Sequence, residues 1–464
     1  MKIWPASTKY EADVRCRESP ECKSIEERAG APLRPLSVEH QKDYEYVTRE
    51  VRPNEMMLSK NIENWMKHRL RRLGLMALAL SASLLASAQA PDGKLALGGN
   101  TNENFQWATL PILERTHTTW VRGFFPASEF ISGQRPYSGD PAIEALKRAA
   151  DSGHKAILSV KWDSNNGGGF GRMPTPGSQE EQVAFNFVDQ LLDSTAGRLS
   201  ALVVINELSI DTLQADLVPG PDGRVPVIVF IRRVVEHVDA EDRKAADGSK
   251  LPIFAGGMTR LDLPQTQQSV ATKLMIRLVN NDPRVTGADF HLHQPSMVTT
   301  QSALDFIHQA IPNKPLMTTE FSLVFQWRTH LGDAVDSSES GQEFSNKYGL
   351  QPGITVAQFL TDVFERPVPV QEWHQFLASQ PWFDGHYLAH VAPLMQANGV
   401  KIATYALTWN PEPVPNRQPV TTNTTPWFLN PLLVPGMAYV PNSKRLPENY
   451  ELFGDYVNYQ EPRH

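Results

Sequence analysis

The sequence predicts an α/β protein, a (β/α)8 TIM barrel with a long excursion after the seventh strand. Two observations support this fold class. From residue 91 onward, short apolar runs rich in β-branched residues alternate with longer amphipathic segments, which is the pattern of parallel βα units. Eight such runs occur without an internal repeat, and this number favours a closed barrel over an open sheet.

The predicted strands are short apolar runs bounded by turn residues or charges. They cover residues 94–100, 118–124, 155–162, 201–209, 252–256, 288–293, 315–320 and 400–409. Apolar residues at helical spacing predict helices between them, at 105–115, 141–152, 179–193, 225–245, 265–281, 302–310, 386–397 and 448–459. The Gly-rich segment 167–169 lacks the Lys and the spacing of a phosphate-binding loop, so we interpret it as a flexible turn.

The N-terminal residues resemble an export signal behind a polar extension. Residues 66–90 join Lys and Arg residues to an apolar run and then to small residues, the order found in a cleaved signal peptide. The apolar run is shorter than the roughly 20 residues of a membrane span, which disfavours a membrane anchor. We interpret the polar residues 1–65 as a disordered, non-native extension upstream of a start near Met66, and we expect a secreted or periplasmic protein.

The net charge argues against one class of function, and the cysteine content indicates how the domain is stabilised. The net charge is −7 and the Lys and Arg residues are dispersed, so no basic surface for nucleic acid is expected. Cys16 and Cys22 both fall in the extension, which leaves the predicted domain at 91–464 without disulfides and dependent on a large core. We therefore expect one exported domain, and we keep a barrel with a small appendage from the Pro-rich residues 410–441 as the alternative.

The excursion after the seventh strand covers about sixty residues, from 321 through 378 and beyond, and is long for a loop in a compact domain. Short helical patterns at 356–364 and 369–378 predict an ordered segment over the barrel mouth. Its large aromatic residues are Trp327, Tyr348, Trp373 and Trp382. They either pack the excursion onto the barrel or form a platform on which a sugar stacks.

Chemically active side chains occupy the ends of the predicted strands. They are Asn100, Arg122, Lys161, Trp162, Asn206, Glu207, His291, His293, Glu320 and Trp409. Because the carboxyl ends of barrel strands meet at one pocket, the two glutamates are expected to face each other among donors and aromatic faces. Hydrolysis of a glycosidic bond needs one carboxylic acid and one carboxylate, and this pair supplies both.

Other interpretations of these residues stay open. Glu207 and Glu320 could be structural partners of Arg122 or Lys161. The His-x-His pair could bind zinc, although further ligands cannot be assembled from the sequence. The tryptophans Trp162 and Trp409 could either pack in the core or stack on a substrate.

Asn206-Glu207 ending strand four and Glu320 ending strand seven resemble clan A of the glycoside hydrolases, the retaining (β/α)8 enzymes. The resemblance implies that Glu207 is the acid/base, that Asn206 binds the sugar 2-hydroxyl and that Glu320 is the nucleophile. It also implies roles for Arg122, for His291 or His293 and for Trp409, with a carbohydrate substrate and no metal or other cofactor. Many clan members have Trp or Gly before the Asn and Pro after the Glu, where this chain has Ile205 and Leu208, so the family within the clan stays open.

The expected function is therefore a retaining glycosidase that uses two carboxylates. One alternative is a barrel that binds glycans without catalysis. The other is a metal-dependent hydrolase that uses His291 and His293.

Overall fold

The computed structural model describes residues 94–164, 170–409 and 418–460. The strands are β1 (Ala96–Asn100), β2 (Trp120–Pro126), β3 (Lys155–Lys161), β4 (Leu199–Val203), β5 (Ile253–Met258), β6 (Gly287–His293), β7 (Leu316–Ser322), β8 (Val368–Pro369), β9 (Val400–Ala406) and β10 (Ala438–Tyr439). Strands β1 to β7 and β9 pair in sequence order, and β9 pairs with β1 to close the barrel. All the pairs in this barrel are parallel, which confirms the predicted (β/α)8 fold.

Helices follow the barrel strands and cover the outside of the barrel. They are α1 (Leu110–Arg115), α2 (Ala127–Ile131), α3 (Pro141–Asp151), α4 (Gln179–Ser194), α5 (Pro226–Ala240), α6 (Pro264–Gln268), α7 (Val270–Asn281), α8 (Met297–Ala310), α9 (Val324–Thr329), α10 (Glu339–Tyr348), α11 (Val356–Glu365), α12 (Val370–Ser379), α13 (Tyr387–Ala397) and α14 (Tyr450–Gln460). Within the described ranges, no helix is long and apolar enough to cross a membrane. The predicted extension (1–65), signal peptide (66–90) and glycine turn (167–169) lie outside the described residues.

The barrel strands enclose an apolar cluster of their own. It consists of Ala96, Trp120, Ile157, Ala201, Val203, Phe254, Met317 and Ile402. Because strand residues alternate between the two faces of a sheet, Arg122 and Ser159 share a face with Trp120 and Ile157, two positions earlier. The interior therefore changes from apolar to polar toward the carboxyl ends of the strands, where barrels carry their chemistry.

The excursion after β7 forms helices α9 to α12 and packs on the barrel. Trp327 and Trp373 are fully buried, as the packing interpretation requires. Trp382 is half-buried and stacks on His330, with ring centroids 5.2 Å apart. Strands β8 and β10 pair with each other and so join the excursion to the chain after β9.

The described part of the Pro-rich segment 410–441 belongs to the main core. Its buried residues Phe428, Leu429, Leu432, Leu433 and Met437 lie in the same cluster as the helix-facing side chains of the barrel. In the part that the structure describes, this segment packs on the barrel and does not form an appendage with its own core.

Helix α3 begins at a partly buried ion pair between Arg135 and Asp140. The Asp140 side chain accepts hydrogen bonds from the backbone nitrogens of Ala142 and Ile143, both at 3.0 Å, as an N-cap residue does. Arg135 donates to the two carboxylate oxygens at 2.8 and 2.7 Å. Burial alone would raise the pKa of Asp140, but the hydrogen bonds from Arg135 and the backbone lower it.

This lowered pKa predicts a pH-dependent loss of stability for Asp140→Ala. A carboxylate whose pKa is depressed in the folded state stabilises the protein above its unfolded value, about 3.9, and this stabilisation disappears as the pH falls through the folded value. We expect Asp140→Ala to lower the free energy of unfolding by about 2–4 kcal/mol at pH 7 and by less at pH 3. Urea unfolding followed by circular dichroism measures both values.

Asp222→Ala is the matched control for this variant. Asp222 bonds Arg224 in an exposed ion pair, and such pairs contribute little to stability. Its unfolding midpoint should match that of the wild type. An Asp140→Ala effect of undiminished size at pH 3 would contradict the electrostatic explanation.

Candidate active site

The chain that leaves β4 carries Asn206 and Glu207 to the carboxyl end of the barrel. Backbone hydrogen bonds hold this segment against β5, from Val204 N to Phe254 O at 3.0 Å and from Leu208 N to Gly257 O at 2.7 Å. Gly257 has a φ of +55°, and a Cβ there would lie 2.5 Å from the Asn206 carbonyl oxygen. A side chain at this position would be both strained and in collision, so the glycine permits the close approach.

Arg122 on β2 joins the segment after β4 to β7. Its Nη1 donates to Glu320 Oε1 at 2.7 Å, its Nη2 to Asn206 Oδ1 at 2.5 Å and its Nε to Ser159 Oγ at 2.9 Å. The guanidinium is fully buried, and a buried charge is stable only when it is paired and hydrogen-bonded. Arg122 therefore fixes the position of Glu320 relative to Asn206 across the interior of the barrel.

His291 on β6 lies between the two glutamates. Its Nδ1 is 3.3 Å from Glu207 Oε1, and its Nε2 is 4.0 Å from Glu320 Oε1. The same Nε2 is 3.1 Å from Thr319 Oγ1, and this hydroxyl donates to Asp289 Oδ2 at 2.9 Å. Both ring nitrogens of the buried imidazole thus face oxygen atoms.

This arrangement sets the charge of His291 and Glu320. Burial alone would lower the pKa of His291, but the Glu320 and Asp289 carboxylates raise it to about 10. Burial would in turn raise the pKa of Glu320, but the charges of His291 and Arg122 hold it well below its usual range. At neutral pH, His291 is an imidazolium and Glu320 a carboxylate.

His293 lies on the other side of Glu320, and Trp427 packs against His293. The Nε2 atom of His293 is 3.5 Å from Glu320 Oε2 and has no hydrogen-bond partner among the described residues, while its Nδ1 bonds Ser322 Oγ at 2.9 Å. The partly exposed Trp427 ring meets the His293 ring edge-on at 4.7 Å. Sequence reasoning missed Trp427, because it follows a long loop and not a strand.

Lys161, at the end of β3, is paired with an acid from the loop after β1. Its Nζ donates to Glu103 Oε1 at 2.8 Å. Burial alone would lower the pKa of Lys161, but Glu103 and Asp211 raise it above its ordinary value. The Phe124 ring lies 5.4 Å from this Nζ and 4.6 Å from the Arg122 guanidinium. Lys161 thus remains a fixed cation beside the site.

The structure does not bring every predicted side chain into the site. Trp162 is buried between Phe187 of α4 and Phe230 of α5, and its Nε1 donates to Val204 O at 2.8 Å. Because neighbouring residues point to opposite faces, Trp162 faces the helices while Lys161 faces inward. These contacts favour the packing interpretation of Trp162, and the proposed substrate-binding set therefore omits it.

Asn100 and Trp409 are also engaged in packing. The Asn100 amide nitrogen donates to the carbonyl oxygens of Thr319 and Thr404 at 2.9 and 3.1 Å, so it connects β1 to β7 and β9. Trp409 is half-buried and packs against the main core, and its Nε1 is buried without a hydrogen-bond partner among the described residues. These contacts favour structural roles for both side chains.

Three side chains of the site are close enough to hold a metal ion. Glu207, His291 and His293 each offer one ligand atom, and these atoms lie within 4.8 Å of one another. Two histidines and one glutamate also form the ligand set of many catalytic zinc sites. The third ligand that the sequence could not supply is therefore Glu207.

Comparison with known proteins gives remote structural likenesses only. No family model and no curated protein sequence matches the chain. Among solved structures, xylanase 10B from Thermotoga maritima is 11% identical with a TM-score of 0.43, over 79% of this chain and 95% of that one. A thermostable mutant of xylanase Xyn10A from Cellvibrio japonicus is 15% identical with a TM-score of 0.42, over 82% and 99%.

A GH5 cellulase from an Icelandic hot spring isolate is 11% identical with a TM-score of 0.42, over 79% of this chain and 88% of that one. Likenesses at this level of identity concern the fold, and the function of the chain rests on the geometry of its site.

Proposed function

We propose that the protein is a retaining glycoside hydrolase that cleaves O-glycosidic bonds of an oligo- or polysaccharide. The observation that carries the proposal is the asymmetric surroundings of two partly exposed carboxyl groups. Glu320 is bonded by the buried Arg122 and lies beside the His291 imidazolium. Within the part of the chain that the structure describes, the Glu207 carboxylate has one hydrogen-bond partner, the His291 ring nitrogen at 3.3 Å. Environments that differ in this way separate an ionised nucleophile from a proton donor.

The proposed reaction uses the two groups in sequence. The Glu320 carboxylate attacks the anomeric carbon while Glu207 donates a proton to the departing oxygen, which gives a covalent glycosyl-enzyme. Glu207 then takes a proton from water, which attacks the same carbon and releases Glu320. Asn206, Lys161 and Trp427 are the proposed contacts to the sugar, and His293 is a further contact at the Glu320 side.

Wild-type hydrolysis tests this proposal directly. Aryl β-glycosides and common plant and bacterial polysaccharides are screened, and proton NMR identifies the anomer that is released first. Release of the substrate's own anomer supports double displacement, and release of the opposite anomer contradicts it. The non-catalytic alternative predicts that the wild-type protein binds sugars but hydrolyses none. It also predicts that sugar binding persists after both glutamates are replaced.

A metal-dependent hydrolase is the second candidate function, because Glu207, His291 and His293 can converge on one ion. The contacts of His291 favour the metal-free reaction, since its Nδ1 lies 3.3 Å from Glu207 Oε1 and its Nε2 lies 3.1 Å from Thr319 Oγ1. A ring nitrogen that donates a hydrogen bond to one of these oxygens has no lone pair left for a metal.

We therefore expect metal chelation to leave hydrolysis unchanged. The kcat/KM of enzyme dialysed against EDTA and then against dipicolinate should equal that of untreated enzyme. A phosphatase with catalytic zinc, treated in parallel, shows that the chelation works. Activity that is lost on dialysis and returns with Zn²⁺ would contradict the metal-free mechanism and support the metal-dependent hydrolase.

Export belongs to the proposal as well. We propose that residues 66–90 are a signal peptide, that residues 1–65 are a non-native extension and that the exported domain begins near residue 91. N-terminal sequencing of protein secreted by an expressing bacterium tests this. A mature protein that retains residues upstream of Met56 would contradict it.

A further inference from the structure

A buried acid closes the turn after Glu207. The Asp211 side chain is 3% exposed, and its Oδ2 accepts hydrogen bonds from the Asn206 Nδ2 at 3.0 Å and from the Glu207 backbone nitrogen at 3.1 Å. The Asp211 backbone nitrogen donates to Glu207 O at 2.9 Å, and Ser164 Oγ donates to Asp211 O at 3.0 Å. One carboxylate oxygen thus holds both residues of the Asn-Glu pair.

The same acid determines which way the Asn206 amide faces. Because Nδ2 donates to Asp211, Oδ1 faces Arg122 and accepts from its Nη2 at 2.5 Å. Arg122 in turn donates to Glu320 at 2.7 Å. Hydrogen bonds therefore run from Asp211 through Asn206 and Arg122 to Glu320, and the second amide hydrogen of Asn206 stays available for a substrate hydroxyl.

Among the described residues, Asp211 forms side-chain hydrogen bonds with the Asn-Glu pair alone. It lies in the turn after β4, and neither strand pairing nor helix capping uses its side chain. Burial raises the pKa of Asp211 to about 7, an effect that Lys161 opposes and Glu207 reinforces. A carboxyl group that costs this much to bury needs compensating contacts, and the Asn-Glu pair supplies them.

We propose that Asp211 is a positioning residue for glycoside hydrolysis, which places the Glu207 carboxyl at the leaving oxygen. This inference rests on the proposed function. Loss of Asp211 would free the Glu207 backbone and the Asn206 amide together, while Glu320 would keep its bond to Arg122. Protonation of the leaving group should suffer most, because it depends on the placement of Glu207.

Two substrates with different leaving groups separate positioning from general damage. An alkyl glycoside needs protonation of its leaving oxygen, whereas a dinitrophenyl glycoside does not. We expect Asp211→Ala to lower kcat/KM about 10²-fold on the alkyl glycoside and less than about tenfold on the dinitrophenyl glycoside. Asp211→Asn retains an oxygen acceptor and should restore most of the alkyl glycoside activity.

Asp216→Ala is the matched control, because Asp216 is another buried acid that accepts a hydrogen bond from a backbone nitrogen, that of Met173 at 2.9 Å. It should show no dependence on the leaving group. If Asp211→Ala does not fold, as judged by its unfolding midpoint, Asp211→Ser is measured in its place, since the shorter side chain cannot reach Asn206.

The possible outcomes separate this inference from the proposed function. Equal losses on both substrates, or no loss on either, would overturn the role of Asp211 while leaving the glycosidase proposal in place. A wild-type protein that hydrolyses neither substrate would overturn both. A selective loss on the alkyl glycoside that Asp211→Asn reverses supports the inference.

Discussion

Glu320→Ala should lower kcat on an aryl glycoside by at least about 10⁴-fold, because the nucleophile of a double displacement cannot be replaced by a neighbouring group. Arg122 and His291 keep the Glu320 carboxylate ionised and fixed, and neither can form the glycosyl bond itself. Added azide should restore turnover. The azide ion fits the space of the missing carboxylate and attacks from the same side, so the product is a glycosyl azide of inverted configuration.

The Glu320→Ala variant needs a control for folding as well as for activity. Removing the carboxylate leaves the fully buried Arg122 without its charged partner, and unpaired buried charges are destabilising. The unfolding midpoint is therefore measured alongside the rate, and Glu320→Gln, which keeps an oxygen acceptor for Arg122, serves as the folded inactive variant. Glu144→Ala removes an acid from the surface of α3 and should keep full activity.

Azide-dependent turnover is the result that distinguishes a nucleophile from a structural acid. If Glu320 only anchored Arg122, azide would restore nothing and no glycosyl azide would form. If Glu320 instead activated water in a single displacement, the released sugar of the wild type would already have the inverted configuration. Either finding would remove Glu320 from the role proposed for it.

The barrel and its pair of acids could be predicted from the sequence, because both depend on pattern and position. Eight apolar runs predict the parallel barrel, and the carboxyl ends of its strands indicate where the chemically active side chains lie. In the structure, Glu207 lies after β4 next to the barrel interior, and Glu320 lies on β7 within it, as this position rule predicts. The rule needs no knowledge of loops, since every strand of a parallel barrel ends at the same face.

The direction in which an individual side chain points is harder to predict than the position of its strand. Lys161 and Trp162 are neighbours at the end of β3, so alternation allows only one of them to face inward, and Trp162 packs on Phe187 and Phe230. The same rule could have identified Asp289, which lies two positions before His291 and shares its face. Trp427 and Asp211 could not be found this way, because the conformations of loops bring them to the site.

Glu207→Ala should give a large effect that depends on the leaving group, in contrast to the Glu320 variant. We expect kcat/KM for an alkyl glycoside to fall by about 10²–10⁴-fold, the usual contribution of general acid catalysis. A dinitrophenyl glycoside should still form the glycosyl-enzyme at nearly the wild-type rate. Hydrolysis of that intermediate then lacks its general base, so the intermediate accumulates and KM falls.

Mass spectrometry of the Glu207→Ala protein with the dinitrophenyl substrate should show the added mass of one glycosyl group, carried by the peptide that contains Glu320. Azide should speed turnover here too, but it attacks the intermediate from the opposite side to Glu320, so the glycosyl azide keeps the substrate's configuration. Opposite configurations from the two variants are required by the proposed roles. If Glu320→Ala gave a glycosyl azide of retained configuration and Glu207→Ala one of inverted configuration, the roles of the two acids would be exchanged. His291, which contacts both acids, would then stabilise the departing and not the attacking side.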